Sequence, residues 1–359
     1  MMKALQLKAP NDLVLCEVPV PQPGRFEIVS RVEAVSICGT DPHIIAGEYP
    51  GYWPKDFPLV PGHEWAGVVA MLGEGAEDLG WQIGDRVCGI SHCGCGYCAM
   101  CLEGRYNLCQ NYGKSHLGHR QYGHNMPGAY AQYINTSIKS VAKIPPTMQF
   151  DVACCMDPLS IALHAVMRSG LQPGDSVLVN GAGAQGLYAI LCAKSMGAGT
   201  VLVSGSGHRL EVAEGLGAKP IDYRREMVAR RARDLTQGRG PKCVIECSGT
   251  QEGFRNACEA VAAGGCISVI SLPSGDADIP LRSLVLQEVS IVGNRANPNT
   301  LERALSIAQN NMKAMESLVT HHIPLAEYQK AFAIFNDRLE NSIRVVIHPN
   351  ENHTGENVL

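Results

Sequence analysis

Several features that mark other classes of protein are missing from this 359-residue sequence. No stretch approaches the roughly 20 consecutive apolar residues that are needed to cross a bilayer. The N-terminal segment lacks the apolar region of a secretory signal. The net charge is −4 at pH 7, and no basic run is dense enough to follow a phosphate backbone. We therefore expect a cytoplasmic protein that binds neither membranes nor nucleic acid.

The composition is otherwise that of a globular protein, with 45% hydrophobic and 18% charged residues. These values exclude a wholly disordered chain. The length predicts two or three domains, because a domain commonly takes roughly 150 residues. Cysteine is abundant, with 15 residues. In a chain without a secretion signal, clustered cysteines more often bind metal or do chemistry than form disulfides.

The pattern of apolar residues changes near residue 150. Before this point, short strands separated by Gly and Pro turns indicate a β-rich region. We predict these strands at residues 3–7, 13–18, 27–36 and 65–72. After it, apolar strands alternate with helical segments, which is typical of a parallel sheet covered on both faces. We predict those strands at residues 176–179, 201–203, 242–247, 266–270 and 290–292, and a last strand at 343–347.

A glycine-rich turn follows the first of the parallel strands. Gly181, Gly183 and Gly186 fit the pattern G-x-G-x-x-G between a strand and a helix. The first glycine allows the tight turn, the second lets a pyrophosphate approach the backbone, and the third lets the helix pack on the strand. A purely structural turn is the alternative, but the position between strand and helix favours dinucleotide binding.

The end of the second parallel strand bears on the choice between NAD and NADP. An acid about 20 residues after the glycines would bind the ribose of NAD. Here the segment from Ser204 is rich in Gly and Ser, and the nearest acid, Glu211, lies in the next helix. Ser206 and Arg209, with His208, could hold the 2′-phosphate of NADP. Arg209 could equally be a solvated surface residue, so NADP is favoured and NAD stays open.

Four cysteines form a compact cluster in the sequence. Cys95, Cys98, Cys101 and Cys109 have the spacing C-x2-C-x2-C-x7-C. Four thiolates suit a closed tetrahedral zinc site, which stabilises a loop with little core of its own. Redox cysteines or unrelated buried thiols are the alternatives. The His-Cys pair at 92–93 lies just outside this spacing, and we interpret it as a bystander.

Three further segments contain possible metal ligands that lie far apart in the sequence. They are CGTDPH at 38–43, GHE at 62–64 and DPLSIALH at 157–164. Each is a weak signal alone, because a single His or Cys is more often a packed or surface residue than a ligand. In combination with the four-cysteine loop and the dinucleotide turn, they indicate a second metal site.

With these segments the chain resembles the zinc-dependent medium-chain alcohol dehydrogenases, and within them the polyol (sorbitol) and threonine dehydrogenase branch. The resemblance covers nearly the whole chain, from residue 3 to about residue 347. Besides the four cysteines, it rests on CGTDPH at 38–43, PGHEWAG at 61–67, GDRV at 84–87, GAYAQY at 128–133, DPLSIALHA at 157–165 and GAGAQG at 181–186.

The resemblance implies an α/β protein with two domains. A β-rich, GroES-like catalytic domain would comprise residues 1–150 and 294–359. A Rossmann domain with a doubly wound parallel sheet would comprise residues 151–293. The resemblance also implies an active site in the cleft between the domains, and a homotetramer or a homodimer.

The resemblance further implies roles for individual residues. Cys38 and His63 match the ligands of the catalytic zinc, and Glu64 matches an acid that binds this zinc or stands beside it. Asp157 stands where the branch commonly has Glu. Its shorter side chain leaves open whether it binds zinc directly or through a water. With the four-cysteine site, two zinc ions per chain are expected.

The implied reaction is a reversible hydride transfer between a secondary alcohol and a nicotinamide, with zinc as the Lewis acid. Thr40 would pass the alcohol proton to a ribose hydroxyl or to His43. The alternatives are that Thr40 only caps a turn and that His43 is a surface histidine. Val269 and Ser271 match the segment that lines the nicotinamide, and Glu246 is predicted to support the cofactor cleft.

The substrate is expected to be a small alcohol or ketone: a polyol, a sugar alcohol or a hydroxy-amino compound. Aromatic residues are scarce, at 6%, so the loop with Tyr49, Trp53 and Phe57 stands out as a possible pocket wall, although core packing is the alternative. Two rival functions are a zinc-free quinone or enoyl reductase and a non-catalytic zinc- and nucleotide-binding protein. The zinc-free reductases usually lack both the Cys38-type ligands and the four-cysteine loop. The presence of Cys38, Thr40, His63 and Glu64 together argues against a non-catalytic protein.

Overall fold

The computed structural model describes residues 1–272 and 275–350, so residues 351–359 of the predicted catalytic domain lie outside it. The chain divides into two compact units. Unit 1 comprises Met1–Asp157 and the chain from Met315 onward, and unit 2 comprises Pro158–Ala314. Within the described residues, no helix is both long enough and apolar enough to span a membrane.

The chain up to residue 155 forms strands and short helices that are joined by long loops. The strands are β1 Met2–Ala9, β2 Asp12–Val18, β3 Glu27–Ser36, β4 Glu64–Leu72, β5 Arg86–Gly89, β6 His92–Cys93, β7 Arg120–Gln121, β8 Tyr133–Ser137 and β9 Val141–Lys143. The helices are α1 Asp41–Ala46, α2 Ala99–Leu102 and α3 Phe150–Ala153.

The middle of the chain alternates helices with strands. The helices are α4 Met156–Arg168, α5 Ala184–Ser195, α6 His208–Gly215, α7 Val228–Asp234, α8 Gln251–Ala260, α9 Leu281–Leu286 and α10 Leu301–Asn310. The strands are β10 Ser176–Asn180, β11 Thr200–Gly205, β12 Lys219–Asp222, β13 Cys243–Glu246, β14 Cys266–Val269 and β15 Ser290–Gly293. The chain then continues with α11 Met312–Leu318, β16 Val319–Pro324, α12 Tyr328–Asn336 and β17 Arg344–His348.

Unit 1 is built on a mixed sheet with the strand order β16-β17-β3-β4-β5-β9, in which β8 also pairs with β3. Strands β16 and β17 are parallel, and the other pairs are antiparallel. Val32 on β3 and Trp65 on β4 are fully buried, as is Tyr130, and all three belong to one apolar core. The mostly buried residues of β3 and the buried first half of β4 therefore anchor the strand ends from which the metal-ligand candidates extend.

Unit 2 is a parallel sheet with the order β12-β11-β10-β13-β14-β15. Strand β10 lies between β11 and β13, where the chain order changes direction, and ligands of such sheets bind at this point. The predicted α/β class and parallel sheet are confirmed. Strand β12 was not predicted, because only Ile221 among its four residues is fully buried and it contains Pro220.

The boundaries of the units differ from the predicted domain boundaries after residues 150 and 293. The short helix α3 packs on strands β3, β4 and β5, so it belongs to unit 1. Helix α10 packs on α5, so it belongs to unit 2. The sequence pattern could not show either contact, because each joins segments that are far apart along the chain.

Candidate functional site

Antiparallel pairing of β3 and β4 brings the first group of candidate ligands together in unit 1. Ser36, at the end of β3, is in register with Glu64, at the start of β4. Cys38 follows one strand end, and His63 precedes the other. Ligand atoms of Cys38, His63 and Glu64 all lie within 4.8 Å of one another. His63 and Glu64 are buried.

Asp41 holds this group in place from the first turn of α1. Its Oδ2 accepts the backbone N–H of Cys38 at 2.8 Å and the hydroxyl of Tyr130 at 2.6 Å. Its Oδ1 lies 3.5 Å from Nδ1 of His63. Such outer contacts orient metal ligands. Asp41 and Tyr130 both lie in quoted motifs, but their positioning role was not predicted.

Charges in this group raise the pKa of His63 and lower the pKa of Cys38. Burial lowers the pKa of His63, but the neighbouring Cys38 and Asp41 outweigh it and raise that pKa well above its usual value. Burial raises the pKa of Cys38, yet His63 turns the net shift downward. The site therefore favours a thiolate at Cys38, which is the form that binds metal.

Glu64 also faces a buried cation. Its carboxylate is paired with the guanidinium of Arg344 on β17, and Arg344 donates a second hydrogen bond to Ser36 Oγ. Burial lowers the pKa of Arg344 to about 10. Nothing in the local sequence indicated Arg344, because it lies 280 positions from Glu64 and reaches it through the pairing of β17 with β3.

Asp157 lies in the first turn of α4 and outside the group of Cys38, His63 and Glu64. Its Oδ1 accepts the backbone N–H of Ser91 at 3.1 Å. Among the residues that the structure describes, the cluster of possible ligand atoms includes Glu64 and not Asp157. The side chain of Asp157 thus accepts a hydrogen bond from the loop before β6.

Thr40 and His43 are placed differently around this group. The Thr40 hydroxyl donates to Sγ of Cys38 at 3.4 Å, and no side-chain cap bond from it to α1 is formed. The side chain of His43 is 52% exposed, and its Nδ1 lies 2.5 Å from a Glu48 carboxylate oxygen. Thr40 therefore lies beside the candidate ligand, whereas His43 lies at the solvent surface.

The loop with Tyr49, Trp53 and Phe57 reaches His63 through ring contacts. Trp53 packs edge-on against His124 with ring centres 4.8 Å apart, and His124 lies 4.5 Å from the ring of His63. Tyr49 packs on Trp53 at 5.1 Å. Phe57 is 40% exposed. The loop thus places one aromatic residue near the ligand group and leaves another in solvent.

The four cysteines of the loop converge on one point in unit 1. Their sulfur atoms lie within 4.8 Å of one another. Cys95 Sγ is 3.9 Å from Cys101 Sγ, and Cys98 Sγ is 4.0 Å from Cys109 Sγ. These distances are about twice a disulfide bond length. The arrangement is the one that a tetrahedral ion requires.

N–H groups donate to at least three of these sulfur atoms, and one of them is Cys95 N, which donates to Cys109 Sγ at 3.5 Å. Tyr97 N and the Asn111 side chain each donate to Cys95 at 3.4 Å, and Gln110 N donates to Cys98 at 3.4 Å. Burial raises the pKa of Cys95, but the hydrogen bonds that it accepts, first those from Tyr97 N and Asn111, lower this pKa overall to about 6. Hydrogen bonds of this kind stabilise thiolates. The donor chemistry at both groups therefore fits zinc.

The glycine-rich turn in unit 2 has the expected geometry. Gly181 has φ +115°, and a Cβ there would come within 3.0 Å of Ser248 N. A Cβ on Gly186 would lie 1.9 Å from the carbonyl oxygen of Gly181. A Cβ on Gly183 would meet no atom within 4 Å, so the space beside the N-terminus of α5 is open. An open backbone at a helix N-terminus is where a pyrophosphate binds.

The end of β11 is joined to a loop that the sequence did not indicate. Ser204 is buried in register with Asn180, and the Ser206 hydroxyl donates to Tyr223 OH at 3.2 Å. Tyr223 follows β12, and its neighbour Arg224 lies over its ring at 5.9 Å. Tyr223 was not predicted, because strand β12, which it follows, was not predicted.

An acid does lie beside this strand end, on β12. Asp222 is in register with Gly205. Its carboxylate accepts Arg224 N at 3.0 Å and pairs with Arg225 at 3.4 Å. Arg209 is half-buried in the first turn of α6. The carboxylate of Asp222 is therefore already bonded to Arg224 N and paired with Arg225 in the loop that follows β12.

Glu246 ties the glycine-rich turn to the next strand. Its carboxylate accepts Asn180 Nδ2 at 2.6 Å, Ser248 N at 2.7 Å and the Ser248 hydroxyl at 2.5 Å. Burial raises its pKa. A cavity of about 190 Å³ is lined by Glu246, Val269 and Ser271 among others. Glu246 thus joins the end of β10 to the segment after β13, and its predicted support of a cofactor cleft stays a prediction.

Two family models match the chain. The alcohol dehydrogenase GroES-like domain matches residues 24–146, and the zinc-binding dehydrogenase domain matches residues 184–310. Sorbitol dehydrogenase from Bacillus subtilis is 31% identical over 97% of this chain and 98% of its own length. L-threonine 3-dehydrogenase from Chromobacterium violaceum is 32% identical over 92% and 96%.

The structure is also similar to solved structures. A protein from Sinorhizobium meliloti 1021, described as a zinc-binding dehydrogenase and bound to NADP, superimposes with a TM-score of 0.87. It is 28% identical and covers 97% of this chain and 99% of its own. These matches confirm the GroES-like and Rossmann-like parts of the predicted fold.

Proposed function

The chain belongs to the zinc-dependent medium-chain alcohol dehydrogenase family, and from this premise we propose that it oxidises a secondary alcohol of a polyol or hydroxy-amino compound. The coarser activity is established: the protein is an NAD(P)-dependent alcohol oxidoreductase that uses zinc. The observation that carries the proposal is the convergence of Cys38, His63 and Glu64, with ligand atoms within 4.8 Å.

We assign the catalytic zinc to Cys38, His63 and Glu64. Three protein ligands leave one position for substrate or water, as catalytic zinc requires. Asp157 supports the loop before β6 in this assignment. The four-cysteine group holds a second, structural zinc, so that each chain contains two ions. Both donor sets are sulfur, nitrogen or carboxylate oxygen, which zinc prefers.

Zinc supplies a Lewis acid that makes a bound alcohol hydroxyl more acidic. The residues of the chain then have to remove the proton. Thr40 is assigned this role because its hydroxyl already lies 3.4 Å from Cys38 Sγ. His43 is assigned the transfer to solvent, because its imidazole is half-exposed and bonded to Glu48. Thr40 would pass the proton to His43 or, when the coenzyme is bound, to a ribose hydroxyl, as the resemblance implies.

The substrate class follows from the relatives. Sorbitol and L-threonine, for which two relatives are named, both have a secondary hydroxyl group. Both are also polar molecules with further hydrogen-bonding groups. We therefore propose a substrate with a secondary alcohol next to a second hydroxyl or an amino group, or the corresponding ketone in the reverse direction.

We propose NADP as the preferred coenzyme. The end of β11 presents Ser206, hydrogen-bonded to Tyr223, and the half-buried Arg209 follows on α6. The acid of β12, Asp222, is paired with Arg225. A ribose 2′-phosphate would thus meet hydroxyl groups and a guanidinium rather than a free carboxylate. A coenzyme bound by a relative does not decide this preference, so the proposal depends on these residues.

The experiment is a substrate panel with NAD and with NADP. It includes sorbitol, other sugar alcohols, 2,3-butanediol, L-threonine and a primary alcohol, each followed by the absorbance of the reduced nicotinamide. We expect turnover of secondary alcohols that falls to background in Cys38→Ser. Turnover that persists in Cys38→Ser would contradict the assigned zinc site. No turnover of any alcohol by fully zinc-loaded protein would favour a non-catalytic binding protein.

We also propose a homodimer or a homotetramer in the cytoplasm, as the resemblance implies. Light scattering of the purified protein distinguishes these two assemblies by mass. A monomer at micromolar concentration would contradict this part of the proposal without affecting the assigned chemistry.

A further inference from the structure

A third group of metal-binding side chains lies in unit 1, outside both sites described above. It consists of Asp151 in α3, His322 on β16 and His348 at the end of β17. One ligand atom from each lies within 4.8 Å of the others. Two imidazoles and one carboxylate form a ligand set that zinc and related ions bind.

The sheet register explains why the two histidines meet. Strands β16 and β17 are parallel, with His322 opposite Val346 and Pro324 opposite His348. The two histidines are thus two positions apart in register and lie on the same face of the sheet. Their rings stack with centres 5.8 Å apart and an angle of 19° between planes.

Asp151 lies against both rings. One carboxylate oxygen is 3.1 Å from Nδ1 of His322, and the other is 3.5 Å from Nε2 of His348. The carboxylate therefore contacts one nitrogen of each imidazole. An ion at this point would join α3 to the last two strands, which are far from it in the sequence.

The other nitrogen of His348 fixes the orientation of its ring. Nδ1 lies 3.0 Å from the carbonyl oxygen of Glu33. This oxygen can only accept, so Nδ1 carries the proton, and in the neutral ring Nε2 presents a lone pair to the Asp151 carboxylate. A lone pair facing a carboxylate is unfavourable unless a proton or a metal ion lies between them. A metal-binding histidine typically donates its second nitrogen to a carbonyl in this way.

We propose that Asp151, His322 and His348 bind a Zn²⁺ ion, distinct from the two ions of the proposed function. His322 Nδ1, His348 Nε2 and the carboxylate of Asp151 are the ligands. Asp151 and His348 also line an open groove of about 370 Å³ with Glu33 and Arg86. Water, or a small ligand in this groove, completes the coordination. The ion stabilises the attachment of α3 to β16 and β17.

The test is a titration of protein whose two other zinc sites are already filled. Zinc-loaded enzyme is desalted at pH 7.5 and titrated with ZnCl₂ in a calorimeter. We compare the wild type with His322→Ala, His348→Ala and the near-isosteric Asp151→Asn. The matched control is His321→Ala, because His321 is the preceding residue of β16 and bonds Thr320 and Glu340 instead.

We expect one further Zn²⁺ per chain in the wild type and in His321→Ala. Each of the three ligand variants should weaken this binding by about tenfold or more. Loss of a residue that only orients a metal ligand already has an effect of about this size. Added ZnCl₂ should raise the melting temperature of the wild type and of His321→Ala only. Co²⁺ in place of Zn²⁺ should give visible absorption that His322→Ala loses.

Two results would overturn the proposal. The first is no uptake of a further ion by the zinc-loaded wild type at 100 μM ZnCl₂, about a hundredfold above a micromolar dissociation constant; the lone pair would then be balanced by a proton. The second is equal uptake by Asp151→Asn and His322→Ala that keep wild-type circular dichroism. Because none of these residues belongs to the proposed catalytic site, loss of the further ion with normal turnover leaves the proposed function unaffected.

Discussion

The hydroxyl of Thr40 donates to Sγ of Cys38 at 3.4 Å, which places a proton-bearing group directly beside a proposed zinc ligand. Thr40→Ala should therefore lower kcat by about 10²–10⁴, the usual size of a general acid–base contribution. The zinc content should remain unchanged, because Thr40 is not in the ligand group. Steady-state kinetics and metal analysis of the same preparation measure both quantities.

Thr40→Ser is the matched control, since it keeps the hydroxyl and removes only a methyl group; it should retain most of the activity. His43→Ala should lower kcat less than Thr40→Ala, because its exposed imidazole acts after the first transfer and water can replace it. Unchanged rates in both Thr40→Ala and His43→Ala would exclude the proton relay.

The two groups of cysteine ligands should respond differently to loss of one thiolate. Cys98→Ser should destabilise or misfold unit 1, because a structural zinc contributes directly to folding. Cys38→Ser should abolish turnover while the fold persists. Metal analysis, circular dichroism and turnover separate the two effects. A folded and fully stable Cys98→Ser with one ion fewer would show that this loop folds without its metal.

Arg344 should be necessary for stability because it neutralises a buried carboxylate. Removing one partner of a buried ion pair costs about 3–5 kcal/mol. In the Cys38→Ser background, which removes a ligand of the proposed catalytic zinc, Arg344→Met should lower the free energy of unfolding by this order in urea, because Glu64 would stay buried without a cation. The double variant Glu64→Gln/Arg344→Met should recover part of the loss. A cost below about 1 kcal/mol in this background would mean that Glu64 has a counter-charge other than Arg344 and the proposed zinc.

The longer strands of unit 1 and most strands of the parallel sheet could be predicted from the sequence, as could the local motifs, because each depends on neighbouring residues. Strand β3 has the predicted bounds, and the turn from Gly181 to Gly186 has the predicted close approach. Local pattern and local spacing were sufficient there. The chemistry of the four-cysteine loop was predictable for the same reason.

What the sequence could not predict are partners brought together by the tertiary fold. Arg344 reaches Glu64 only through strand pairing, and Tyr223 reaches Ser206 only because β12 lies beside β11. The position of Asp157 stayed open for a related reason. Whether one carboxylate reaches a metal or a backbone N–H depends on distances that spacing does not give.

His164 should make the protein sensitive to mild acid. Burial, with Arg168 nearby, lowers its pKa to about 4. An unfolded histidine has a pKa of about 6.5. Between these values the unfolded chain binds more protons, so stability falls as the pH is lowered from about 6.5 to 4. Because the side chain is half-exposed, the effect should be only about 1 kcal/mol.

Urea unfolding at pH 7.5 and pH 5 tests this expectation. The loss on acidification should be smaller in His164→Asn than in the wild type. His116→Asn is the control, because His116 is exposed and its replacement should leave the loss unchanged. An equal loss in all three proteins would assign the acid sensitivity to other groups.

The preference for NADP over NAD is the prediction that a single kinetic comparison can contradict most directly. Arg209 can give a 2′-phosphate a charge-assisted hydrogen bond, which is commonly worth about 1.5–3 kcal/mol. At about 1.4 kcal/mol per factor of ten, this corresponds to a preference of about 10- to 100-fold. We therefore expect kcat/KM to be higher with NADP than with NAD, and Arg209→Ala to lose most of this difference.

Tyr223→Phe separates the hydroxyl pair from the guanidinium. If Ser206 and Tyr223 bind the phosphate together, Tyr223→Phe should raise KM for NADP several-fold and leave KM for NAD unchanged. Arg282→Ala, an exposed arginine on α9, controls for a general change of charge in unit 2. A wild-type preference for NAD by more than about tenfold would exclude NADP as the coenzyme. Unchanged NADP kinetics in Arg209→Ala would remove Arg209 from the phosphate site, because a lost charge-assisted bond must appear in kcat/KM.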